Sequence, residues 1–155
     1  MTVQEFIANE TSRAAEALIH QATRMPDGKP SWNPMEEGRS ALDQVAECAL
    51  IGESLPGIIA NRKMPDFTAE MMEQFDRDKR SMDLQTATSR LREATAKLCE
   101  AIRATPDADL LESMPFWGPE PWTVAAVLNF HNWNMVYHVG QVNYIQTLYG
   151  DKDMG

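Results

Sequence analysis

Two histidines and one asparagine share the predicted apolar face of a long helix near the C-terminus. At about 100° per residue, His131, Asn134 and His138 fall in one stripe with valine, methionine and isoleucine side chains. Imidazole and amide groups can bind a metal ion, move a proton or form hydrogen bonds. An unpaired polar group in a core costs about 1 to 3 kcal/mol. We therefore expect each of these side chains to have a partner in the bundle, a bound water or a metal ion.

His131 has two interpretations. It precedes His138 by about 10 Å along the helix axis, so the two imidazoles are poorly placed to share one ion. The first interpretation is a core histidine that hydrogen-bonds a carboxylate from an earlier helix. The second is a group that orients the Asn134 amide or relays a proton.

Four amphipathic helices are predicted to position these groups. Apolar residues repeat at helical spacing from Val3 onward, and again after Asn33–Glu36, which offers a cap, a proline for the first turn and a carboxylate. The third helix follows Asp83 and stops before Pro106. Thr123 is the predicted cap of the fourth helix, which carries the histidines.

Two other segments connect these helices. The charged stretch from Asn61 to Lys79 is predicted to be a connection with one or two helical turns. Residues 106–122 are rich in proline and tryptophan and predict a long ordered loop or weak hairpin whose aromatic rings cover one end of the bundle. The predicted fold is all-α. It is one domain over residues 1–155, a four-helix bundle with a long connection between helices two and three and an ordered loop before helix four.

Composition excludes several classes of function. The net charge is -9 and no basic stripe is present, which argues against nucleic-acid binding. The apolar runs are too short to span a membrane and the N-terminus does not resemble a secretion signal, so we expect no membrane partner and a cytoplasmic location. Cys48 and Cys99 lack metal-knuckle spacing and are interpreted as small buried thiols. No fingerprint of an organic cofactor, phosphate loop or serine nucleophile is found.

The fourth helix resembles a known family. Tyr137–Gln141, reading YHVGQ, is similar to the YHxGQ signature in the last helix of the DinB-like superfamily of damage-inducible proteins. The second helix and the segment before it also resemble that family, through Trp32, Pro34, Ser40, Asp43, Ala46, Glu47 and Ala49. The resemblance covers nearly the whole chain in order and implies the fold of a helical bundle.

The resemblance implies a divalent metal ion. Members typically hold it between three histidines, one on helix two and two on helix four, and some are thiol-dependent transferases or isomerases. Here His138 keeps the last ligand position, while Glu47 and Asn134 stand at the other two. The candidate ions are manganese, nickel, zinc and magnesium. This set of ligands would favour a harder ion such as manganese or magnesium over zinc and would bind more weakly than three imidazoles. Periodicity alone instead places Glu47 on a polar, solvated stripe with Ser40 and Asp43.

Two hypotheses about function follow. In the first, an ion held by Glu47, Asn134 and His138 acts as a Lewis acid for a hydrolase or thiol-dependent transferase of a small molecule, with Tyr137 or His131 as proton relay. In the second, the chain is a metal-free dimeric bundle that binds a small ligand or a protein partner in the same pocket.

An aromatic stripe on the fourth helix bears on the predicted homodimer. Trp133, Tyr137 and Tyr144 flank Gly140, which is costly in mid-helix and predicts a closely approaching helix. The stripe is interpreted first as inter-helix packing, second as a dimer surface and third as a substrate platform.

Overall fold

The computed structural model describes residues 1–153, which are mostly helical. Within that range five helices are found: α1 Val3–Thr23, α2 Ala41–Asn61, α3 Ala69–Ser81, α4 Leu84–Ala104 and α5 Val124–Leu148. Of the long helices, α1 and α2 each pack against both α4 and α5. The prediction of a mostly helical fold is confirmed, whereas the predicted four-helix arrangement is not.

Side-chain caps fix where three of the helices begin. Thr2 and Glu5 form a reciprocal capping box at α1, with hydrogen bonds of 2.7 and 3.1 Å. The Asp83 carboxylate accepts from the Thr86 backbone at the start of α4, and the Thr123 hydroxyl accepts from the Ala126 backbone at the start of α5. The predicted caps of these last two helices are therefore confirmed.

The predicted start of the second helix is wrong. The Asn33–Glu36 segment forms turns, and α2 begins at Ala41 because the Ser40 hydroxyl accepts from the Asp43 backbone at 3.1 Å. The helix then continues through Pro56 to Asn61. Buried side chains in its last turns, Leu55, Ile58 and Ile59, compensate for the backbone hydrogen bond that the proline removes.

The predicted irregular connection contains a full helix. The Thr68 hydroxyl caps α3, whose 13 residues include no buried side chain. Its apolar side chains, Met71, Met72 and Phe75, cover little more than one turn, which is too short a pattern to predict a helix of this length. An ion pair of 3.0 Å between Lys79 and Asp43 ties its C-terminal turn to α2.

The loop before α5 is an ordered, weak hairpin, as predicted. Strand β1, Ser113–Met114, pairs antiparallel with strand β2, Trp122–Thr123. Phe116 makes edge-on ring contacts with Trp122 and Phe130, with centroid distances of 5.2 and 5.0 Å.

The apolar core forms two clusters along the bundle. On α5, Met135 and Val142 belong to one cluster and Leu128 to the other, so His131 lies between them in sequence. Cys48 and Cys99 are buried free thiols, as predicted. None of the helices in residues 1–153 is long and apolar enough to span a lipid bilayer.

Candidate functional site

Glu47 of α2 and His138 of α5 meet between their helices. The Glu47 Oε1 atom lies 3.2 Å from His138 Nε2. The imidazole is 2% exposed and the carboxylate side chain 21% exposed. Glu47 is thus half-buried and paired, and does not lie on the fully solvated stripe that periodicity alone indicates.

The side-chain partners of His138 indicate its tautomer. The Nδ1 atom lies 2.9 Å from the amide oxygens of both Gln44 and Gln141. Amide oxygens only accept hydrogen bonds, so Nδ1 carries a proton. The Nε2 atom faces the Glu47 carboxylate.

Arg39 holds the second oxygen of the carboxylate. Its Nη2 donates to Glu47 Oε2 at 2.7 Å, and its Nε donates to Asp43 at 2.5 Å. Asp43 also pairs with Lys79. Charged groups of alternating sign therefore run from α3 to the Glu47 carboxylate beside His138, and we call Lys79, Asp43, Arg39 and Glu47 the ion-pair network.

The ion-pair network keeps Glu47 ionised. Burial raises the pKa of this carboxyl, but the hydrogen bond to His138 and the charge of Arg39 outweigh burial and bring the pKa to about 2. The carboxylate is therefore charged throughout the neutral range.

Asn134 is directed toward a thiol. Its side chain is buried, and its amide nitrogen lies 3.7 Å from Cys48 Sγ. Burial, followed by the nearby charge of Glu47, raises the pKa of the Cys48 thiol. The thiol is thus neutral near pH 7, which suits neither a nucleophile nor a metal ligand.

His131 is enclosed and unpaired. It is fully buried, and neither ring nitrogen has a hydrogen-bond partner among residues 1–153. Burial, followed by the charge of His138, lowers the pKa of His131 to about 4, so the ring is neutral. Its position in the core is as predicted, but the expected carboxylate partner is absent from the described part of the chain.

Gly52 of α2 makes room for this ring. A Cβ atom at this position would lie 2.9 Å from His131 Nε2 and 3.2 Å from the Ala94 Cβ. We expect Gly52→Ala to lower the free energy of unfolding by about 1 to 2 kcal/mol through this overlap. Urea unfolding followed by circular dichroism measures the change.

Gly57 provides a matched control on the same helix. A Cβ atom there would meet nothing within 4 Å, so Gly57→Ala should raise the free energy of unfolding by about 0.5 to 1 kcal/mol through helix propensity. Equal effects of the two substitutions would contradict the close contact between Gly52 and His131.

At the three ligand positions that the resemblance implies, this chain has one carboxylate, one amide and one imidazole in place of three imidazoles. Within residues 1–153 no group of three His, Cys, Asp or Glu side chains is placed to hold an ion. The Asn134 amide nitrogen points to Cys48, and a guanidinium already neutralises the free oxygen of Glu47. No chemical step through a metal ion follows from this geometry. That Glu47, Asn134 and His138 hold a divalent ion stays a prediction.

A groove of about 620 Å³ lies beside the ion-pair network. Its lining combines apolar and aromatic surface with polar groups, contributed by Pro34, Glu37, Arg39, Gln44, Tyr137, Gly140, Gln141, Tyr144 and Ile145. The Tyr137 hydroxyl accepts from Gln141 Nε2 at 3.0 Å. The same glutamine therefore joins the groove wall to His138.

Sequence reasoning missed three of these polar residues. Gln44 precedes Glu47 by one helical turn, so helical spacing could have placed it on the same face. Gln141 was visible within the YHVGQ motif. Arg39 precedes the helix, and no periodic signal marks it.

Comparisons with known proteins agree with this architecture. No curated protein matches the chain. The sequence model of the DinB superfamily matches residues 10–142, a span that includes both Glu47 and His138. The matched span covers most of the 155 residues. The chain therefore belongs to the DinB superfamily.

Proposed function

We propose that this DinB-superfamily chain binds a small organic molecule in the groove between α5 and the segment from Pro34 to Gln44, without the help of a metal ion. The observation that carries the proposal is the arrangement of His138, whose two ring nitrogens are both held by side-chain oxygens next to an open groove. Such a histidine supports the wall of a binding site and is not free to react.

Binding is favoured over catalysis by the access of the candidate groups. A general base must come within about 2.6 to 3.2 Å of the proton that it removes. His138 is nearly enclosed and its nitrogens are occupied, and His131 is fully buried. Among the predicted catalytic residues, only Tyr137 is exposed to the groove.

The groove suits a compact, partly aromatic ligand. Its volume of about 620 Å³ is large enough for a small molecule, and the groove is open to solvent along one side. Tyr137 and Tyr144 offer ring faces against which an aromatic body can pack. Two carboxylates occupy the Nε and one Nη of Arg39, and a guanidinium has five N–H donors, so donors remain for an acceptor group on the ligand.

Local charge indicates which acceptor group fits best. The positive charges of Arg39 and Lys79 are balanced by Asp43 and Glu47, and Glu37 adds a negative charge at the groove. A neutral acceptor such as a carbonyl is therefore favoured over a carboxylate.

Benzamide and benzoate are suitable probes for this site. We expect benzamide to bind at least as tightly as benzoate, with amide chemical-shift changes in NMR spectra centred on Tyr137 and Gln141. Tyr137→Ala should weaken benzamide binding by about tenfold, which corresponds to about 1.4 kcal/mol of lost contact.

Trp117→Ala is the matched control for that substitution. Trp117 is an exposed aromatic residue of the loop before α5 that contacts Phe67, and it does not line the groove. The affinity for benzamide should therefore be unchanged in this control variant. Chemical-shift changes remote from the groove, or equal losses in the two variants, would contradict the proposed site.

A further inference from the structure

Helix α5 carries an exposed apolar face without a formal charge. None of its residues is Asp, Glu, Lys or Arg. Five large side chains on this face are each between 47% and 65% exposed, and we call them, together with Gly140, the α5 face: Trp133, Val136, Tyr137, Tyr144 and Leu148. Their spacing of three, four and seven residues places them along one side of the helix.

Gly140, in the middle of the α5 face, has no packing role within the chain. A Cβ atom there would meet nothing within 4 Å, so the predicted close approach of a neighbouring helix does not occur inside one copy. Glycine is nevertheless among the poorest residues for a helix interior. A helix that crosses at this point from outside the chain would explain why no side chain stands there.

The charge of the chain and of the α5 face indicates which partner supplies the crossing helix. The chain has a net charge of -9, so two copies repel one another least where the surfaces that meet carry no charge. The α5 face is such a surface. A basic partner would instead be expected to meet acidic side chains, and α5 has none. We propose that the α5 face packs against the α5 face of a second copy, crossing at Gly140, in a twofold homodimer.

The available area is sufficient for a specific contact. An aromatic side chain buries about 150 to 250 Å², so Trp133, Tyr137 and Tyr144, each more than half exposed, supply roughly 300 to 400 Å² per copy. Further buried area on each copy comes from Val136, Leu148 and the exposed backbone at Gly140. The total approaches the roughly 1,000 Å² that distinguishes specific interfaces from weak contacts.

The second copy would also complete the groove. Tyr137, Gly140 and Tyr144 belong both to the α5 face and to the groove wall. A helix seated on this face would therefore cover the open side of the groove and narrow its entrance. This consequence rests on the proposed ligand site, whereas the dimer itself does not.

Sedimentation equilibrium of the full chain at micromolar concentration tests the dimer. We expect twice the monomer mass of 17.5 kDa. Val136→Glu puts a carboxylate on each side of the twofold contact without altering the groove lining, and should weaken dimerisation by at least about a hundredfold. Circular dichroism should show an unchanged helix content, because Val136 is exposed in the single chain.

Leu111→Glu is the control, because Leu111 is the more exposed of the two side chains and lies in the loop before α5. This variant should remain dimeric. A wild-type monomer at micromolar concentration would overturn the proposal, and so would a dimer that survives Val136→Glu or one that Leu111→Glu dissociates. None of these results depends on benzamide binding, so the dimer proposal and the ligand-site proposal can be contradicted independently of one another.

Discussion

Replacing both altered ligand positions, in the double variant Glu47→His/Asn134→His, should convert this chain into a tight binder of Zn²⁺ or Ni²⁺. Positions 134 and 138 lie one turn apart on the inner face of α5, and Glu47 already reaches His138 at 3.2 Å. Three imidazoles form a strong transition-metal site. The wild-type set offers one imidazole and a carboxylate that Arg39 neutralises. We expect one ion per chain and an affinity at least about a hundredfold higher than that of the wild type.

Isothermal titration calorimetry with zinc or nickel chloride measures this gain. An ion present at about 100 times its dissociation constant should also stabilise the variant by about 2.7 kcal/mol. Adding His138→Ala to the double variant removes the third imidazole and should abolish both effects. Asp43 remains as a partner of Arg39 in each variant, so the guanidinium is not left unpaired.

Two outcomes would contradict this argument in different ways. If the wild-type chain already binds one manganese, nickel or zinc ion tightly, and His138→Ala removes it, the metal-dependent hypothesis is correct and the metal-free ligand site is wrong. If the folded double variant binds no ion, the helices do not bring positions 47, 134 and 138 to one point, and the family's ligand geometry is absent from this chain.

Helical periodicity and capping chemistry predicted most of the fold. The inward direction of His131, Asn134 and His138 follows from spacing alone, because each falls in line with apolar residues that must face the core. Asp83 and Thr123 were also found from sequence, since a cap requires only a short polar side chain directly before an apolar repeat.

Other parts could not be predicted because the forces involved are not local. No side chain of α3 is buried, and its tie to α2 is an ion pair between Lys79 and Asp43, which lie far apart in sequence. Periodicity places Glu47 on a polar stripe, and its side chain does keep some exposure to solvent. Its pairing with Arg39 and His138 depends on α5 lying alongside α2, which periodicity does not reveal.

Acidification should destabilise the fold, and His131 should account for most of the loss between pH 6.5 and 4. The folded chain holds the pKa of this imidazole at about 4, against 6.5 for the free side chain, because burial disfavours the charged ring. Between pH 6.5 and 4 this imidazole binds a proton in the unfolded chain but not in the folded chain. Stability is therefore complete above about pH 6.5 and falls as the pH approaches 4, by up to about 3 kcal/mol.

Glu47 should add a second loss at lower pH. Its folded pKa of about 2 lies below the ordinary value of 4.5, so the stability that its ionised form contributes is present above pH 4.5 and disappears as the pH falls toward 2. The two windows overlap only slightly. The loss of stability above pH 4.5 therefore reports on the buried imidazole and not on the ion-paired carboxylate.

Urea unfolding midpoints, measured from neutral pH down to about 4, test the role of His131 when the wild type is compared with His131→Gln. The glutamine cannot titrate, so the variant should lose much less stability than the wild type between pH 6.5 and 4.5, whatever its stability at pH 7. Other titrating groups are common to both proteins and cancel in the comparison. Parallel losses in the two proteins would mean that the imidazole is accessible to protons in the folded chain. The description of His131 as an enclosed, unpaired ring between α2 and α5 would then be wrong.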